Sequence, residues 1–208
     1  HEKGETARLD ALFKSITRWT VAGTIPVLAL MVVAPEPLLR IFGGEAFAGG
    51  ADALRILLVG QTVNVGVGAA GFVLIMAGRT GWDLIVYALS FALDLVLALV
   101  LVPRFGIEGA AIAQTVTVAA SNALRLALVH RFVGIQPYDR AYVRLVPAAA
   151  ACLGAMALAE RFLADAAWPV ALVGTGLAGL VAYVPILLAT GITPEERRSV
   201  RAALARGR

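Results

Sequence analysis

The 208-residue chain has almost no cysteine, almost no histidine and little charge. Its one cysteine, Cys152, excludes an intramolecular disulfide and a cysteine-rich metal site. The two histidines, His1 and His130, have no partner near them in sequence, and no metal-ligand spacing is present. Serine, histidine and acid are not arranged for nucleophilic catalysis. Charged residues make up 15%, against about 25% in an ordinary globular domain. Strand-like alternation is missing from the long apolar runs, which argues against a barrel. The arginines and lysines, net charge +4, sit between apolar spans and form no aromatic-laced patch, so no nucleic acid is expected. No enzyme activity and no cofactor are expected either.

What is abundant is apolar surface: 60% of the residues are hydrophobic. A spanning helix needs about 20 mainly apolar residues. Six windows meet that need, at residues 16–34, 56–77, 84–102, 109–129, 143–162 and 167–190. The expected fold is an all-α polytopic membrane helix bundle with six transmembrane helices joined by short connections. Pro26 is expected to kink the first span, and Pro185 lies inside the sixth. Fourteen of the 18 basic residues fall at one set of span ends; the other set holds Arg40, Arg55, Arg104 and Arg161. The positive-inside rule then puts both ends of the chain in the cytoplasm and the turn at 103–108 outside.

The chain divides into four parts. Residues 1–15 read as an amphipathic cytoplasmic lead-in, 16–130 as a polar-lined group of four spans, 131–192 as an apolar terminal pair, and 193–208 as a basic cytoplasmic tail. The tail opens on TPEE at 193–196, a capping-box pattern with proline at the first helical position. Its arginines would favour anionic lipid. Residue 1 is His and no signal peptide precedes the first span, so a longer protein is expected to begin upstream.

Two G-x-G-x-x-G matches, at 66–71 and 174–179, lie in the middle of apolar spans. A dinucleotide fingerprint needs a strand before it; here the small residues read as helix packing. Trp19, Trp82, Tyr138 and Tyr142 fall near span ends and read as interfacial anchors.

The informative residues are polar ones inside the spans. Gln61, Asn64, Gly68 and Gly71 share one face of the second span. Asp83, Tyr87, Ser90 and Asp94 share one face of the third, and Gln114, Thr117, Ser121 and Arg125 one face of the fourth. Polar groups facing lipid are costly, so such stripes turn toward protein or a water-filled cavity. Gln61, Asn64, Tyr87, Ser90, Asp94, Gln114, Thr117, Ser121 and Arg125 are the candidate cavity-lining residues. The alternative is interhelical hydrogen-bond glue, at about 0.6–2 kcal/mol per bond. Asp94 as a structural donor would bond Ser90 or a polar group on the second or fourth span; as a proton or cation site it would change charge.

Residues 101–114, LVPRFGIEGAAIAQ, read as a tight hairpin at the membrane surface. Pro103 is expected to end the third span, Gly106 to permit the turn, and Gly109, Ala110 and Ala111 to open the fourth with little bulk. This stretch resembles the "LIP-x-(Y/F)-G-I-x-G-A-A-I-A" hairpin of polysaccharide and O-antigen flippases, in the multidrug/oligosaccharidyl-lipid/polysaccharide exporter superfamily. Residues 38–61 (LLRIFGGEAFAGGADALRILLVGQ) look like that family's outer link, and 77–83 (AGRTGWD) like its short inner loop. The resemblance covers about 41–114 at its most specific; the rest matches in helix spacing alone.

The resemblance implies two six-helix lobes around a central cavity, of which this chain would hold the last four helices of the second lobe plus a terminal pair. The missing N-terminal lobe would be its partner. The implied function is movement of a lipid-linked oligosaccharide, of the polyprenyl diphosphate type, from the inner to the outer leaflet of the cell membrane by alternating access. A cation-coupled multidrug exporter of the same superfamily is the near alternative. A membrane-bound glycosyltransferase or polymerase is the alternative of another class, and it would need catalytic residues on large loops that this chain lacks. The family often has Asn where this chain has Asp94, so a charge there is not required by the fold.

Overall fold

The computed structural model describes residues 2–68, 70–134 and 140–191. Among these there are helices and no strand. The main elements are α1 (Glu2–Val33), two short helices α2 (Pro35–Gly43) and α3 (Glu45–Ala48), then α4 (Ala51–Val67), α5 (Ala70–Met76) and α6 (Thr80–Val133). After a 3-10 turn at Arg140–Leu145 come α7 (Val146–Phe162) and α8 (Trp168–Ile186), which ends in a π-helical turn at Leu187–Gly191. The lead-in is continuous helix with the first span, from Glu2 onward. The capping-box pattern at 193–196, the basic tail and Tyr138 lie outside the described residues.

Four stretches among the described residues are long and apolar enough to cross a membrane: Lys14–Val33, Thr80–Val133, Tyr142–Phe162 and Trp168–Thr190. Ala51–Val67 and Ala70–Met76, bent by 40° at their junction, make a fifth if the pair is one span. By length and composition this is a multi-pass membrane protein. Its outward faces agree: Phe162 is 81% exposed, Phe91 72% and Val181 72%. Apolar surface on that scale is a liability in water and suits lipid.

A straight 54-residue helix would be about 80 Å long, far beyond a hydrocarbon core of about 30 Å. α6 doubles back instead. Gly106 alone within it leaves helical geometry, at φ 57° and ψ −130°, a region other residues resist. Arg125 Nε then lies 2.9 Å from Asp83 Oδ1, 42 positions earlier on the same element. Trp82 and Phe132 meet with ring centroids 5.6 Å apart. Gly109 backs onto the carbonyl of Leu101, where any side chain would collide with main chain. One expectation changes here: Pro103 does not end the helix, which runs on to the reversal at Gly106. Proline's φ is helical, and its missing N–H removes one bond without turning the chain.

The second window also differs from expectation. It is not one helix over 56–77 but breaks at Gly68, which takes φ 67°. Thr17 of α1 occupies the space where a side chain at 68 would go. The first glycine motif therefore marks a helix break, whereas the second lies within unbroken α8, with Gly179 against Met156.

Two apolar clusters hold the bundle. Val67, Leu74, Val86 and Val129 join α4, α5 and both arms of α6. Ala29, Ala148, Cys152, Met156 and Tyr183 join α1, α7 and α8. α1 runs through Pro26, whose missing N–H deprives the Ala22 carbonyl of its helical partner. The Tyr183 hydroxyl donates to that carbonyl at 2.6 Å. The terminal pair is thereby tied to the first helix by the bond that proline removed.

Candidate functional site

Between α1, α4, α5 and the arms of α6 lies a cavity of about 610 Å³. α1 contributes Thr17, Thr20 and Thr24, spaced three and four apart on one face. Thr20 and Thr24 donate to the carbonyls of Ile16 and Thr20, at 2.9 and 2.7 Å. Such back-bonding satisfies the hydroxyl hydrogens and leaves oxygen lone pairs free to accept. α4 contributes Gln61 and Asn64, and the break after it brings Gly68 and Gly71 to the same wall. All four residues of the second-span stripe therefore meet in one place.

The arms of α6 supply the charges. Asp83 is 4% exposed, and Arg125 binds its Oδ1 through Nε. The Arg125 guanidinium also stands over the Tyr87 ring, 4.4 Å from its centroid, a cation–π contact. Its Nη2 is buried without a hydrogen-bond partner. Asn122, 4% exposed, donates through Nδ2 to Asn64 Oδ1 at 3.1 Å and to the Val118 carbonyl at 3.0 Å. Carboxylate and guanidinium cancel, so the wall is close to neutral and rich in hydroxyl and amide groups. That chemistry suits a ligand with many hydroxyls better than a bare ion.

Of the nine candidate residues, Gln61, Asn64, Tyr87 and Arg125 line this cavity. Asp94 and Gln114 line a second cavity, of about 660 Å³, between α2–α4 and the part of α6 nearer its reversal. Ser90 and Ser121 donate to the carbonyls of Val86 and Val118, at 2.7 and 3.0 Å. Thr117 is 6% exposed, with its hydroxyl unpartnered. Among the described residues the expected bond from Asp94 to Ser90 or to a neighbouring span is not formed; Ser90 donates to the Val86 carbonyl within its own helix.

Asn122, the three threonines of α1 and Asp83 were not among the nine candidates. The face that α6 turns to α4 runs through Thr115, Asn122 and Arg125: Thr115 donates to the Ile56 carbonyl at 2.9 Å, and Asn122 meets Asn64. Of the expected stripe Gln114–Thr117–Ser121–Arg125, Arg125 lies on that face, while Gln114 and Ser121 are each one residue out of register with Thr115 and Asn122. A signal existed in the threonine spacing of α1 and in the i, i+3 pair Asn122–Arg125.

The geometry defines a class, a multi-pass helical membrane protein with a polar cavity between its spans. No protein-family model, curated protein or solved structure matches the chain.

Proposed function

We propose that the chain is the C-terminal part of a flippase that moves a lipid-linked polysaccharide precursor across the cell membrane. The observation that carries this reading is the polar cavity of about 610 Å³ inside a bundle whose outer faces are apolar. A sugar headgroup needs hydrogen-bond partners to cross a bilayer, while its lipid tail does not. The resemblance of 101–114 to a flippase hairpin points the same way. In this reading the chain crosses six times: α1, the bent α4–α5 pair, the two arms of α6, α7 and α8. Its basic ends face the cytoplasm. A first lobe would close the open side of the cavity, and rocking of the two lobes would expose it to each side in turn.

The test is export of surface polysaccharide in cells whose gene carries Asn64→Leu or Asn122→Leu. Both residues line the cavity. Export should fall by about tenfold or more, the effect of losing about 1.4 kcal/mol of headgroup binding. Membrane abundance is measured alongside. Full export by both variants at normal abundance overturns the reading.

A further inference from the structure

Antiparallel arms pair residues whose numbers share a sum. Asp83 meets Arg125 across the arms of α6. Eleven residues, about three helical turns, carry each face onward to the same orientation. From Asp83 that step reaches Asp94, and back from Arg125 it reaches Gln114. Both line the second cavity. The first arm thus repeats its acid, but the second arm offers an amide where it earlier offered a guanidinium. Asp94 takes no hydrogen bond and no ion pair among the described residues, and neither does Gln114. The rest of the wall is apolar, including Phe47, Leu54, Leu57 and Ile107.

We propose that this second cavity binds a small amphiphilic amine, whose ammonium takes the place of the cation that Gln114 does not supply. The volume, about 660 Å³, falls within the range of about 300–1,000 Å³ that encloses drug-sized molecules. Asp94 accepts one ammonium N–H and Gln114 Oε1 a second, while the apolar body of the ligand packs on Phe47 and the leucines. Two acceptors favour primary and secondary ammonium groups over quaternary ones, which have no N–H to give. The occupant is a free amine and not an aminophospholipid headgroup. Asp94 stands twelve residues from the reversal at Gly106, about 18 Å along the helix, deeper than headgroups reach. This site does not depend on the flippase reading; it uses a different cavity and a different pair of residues.

The test uses the full-length protein in phosphatidylcholine nanodiscs, with 1-adamantanamine, its N,N,N-trimethyl analogue and 1-adamantanol as probes in calorimetric titrations. The amine should bind at least about tenfold tighter than either relative, as loss of a charge or of its hydrogen bonds implies. Asp94→Asn should weaken the amine by a similar factor. Gln114→Arg should weaken it too, by restoring in the chain the pairing seen at Arg125, and the alcohol should be unaffected. Thermal unfolding shows whether each variant is folded. If Gln114→Arg does not fold, Asp94→Asn decides alone. Equal binding of amine and alcohol, or an unchanged amine affinity in Asp94→Asn, overturns the proposal. Competition by phosphatidylethanolamine added to the nanodiscs overturns the free-amine assignment in favour of lipid.

Discussion

The two levels of the α6 hairpin carry the same acid in opposite circumstances. Asp83 is sealed in, 4% exposed, and bonded to Arg125. Asp94 is half-buried, faces an apolar cavity, and has Gln114 where an arginine would complete it. Burial decides what each level requires. A sealed carboxylate without a counter-charge is costly, so the first level needs its guanidinium to stand. A half-buried one keeps contact with the cavity it faces, so the second level can leave its acid free for a ligand. One level is a structural clamp and the other an open valence.

The comparison exists only while the hairpin is closed, and Gly109→Val should abolish it. A valine there would drive into the main chain at Leu101, where nothing flexible can yield. Folded protein recovered from membranes should drop to near zero; normal recovery would show that the arms tolerate separation. Arg125→Gln comes next, since it gives the first level the composition of the second. With Asp83 left sealed and unpaired, stability should fall by about 3–5 kcal/mol, read from unfolding in mixed micelles. Adding Asp83→Asn to that variant should recover part of the loss. Asn122→Ala removes the amide contact to Asn64 beside the clamp and should cost about 0.6–2 kcal/mol in the same measurement. Asp94→Asn should be the mildest, within about 0.5 kcal/mol of the parent. A large effect there would mean that the second level is a clamp as well.

Much of the fold is legible before any coordinates. Apolar run lengths locate the helices, and Gly106 between two such runs locates the reversal. The rest fails for identifiable reasons. In the second arm, Gln114, Thr115, Thr117, Ser121 and Asn122 are all polar, so two stripes about 100° apart fit equally well. The choice between them is made by α4, whose Ile56 carbonyl and Asn64 amide engage Thr115 and Asn122. The break at Gly68 is hidden because a glycine inside an apolar run also reads as helix packing. Thr17 settles it from another helix altogether. On the second span Gln61, Asn64, Gly68 and Gly71 come to one cavity; Thr62 is the one polar residue between them, and it donates to the Leu58 carbonyl within its own helix.

The bond from Tyr183 to the Ala22 carbonyl also sets an order in time. Its two ends are 161 residues apart. At a synthesis rate of about 5–20 residues per second, the donor arrives roughly 8 to 30 s after the acceptor. Throughout that interval the carbonyl freed by Pro26 sits in α1 with no partner from α8. α1 is therefore unfinished until α8 arrives, and its completion reports that arrival.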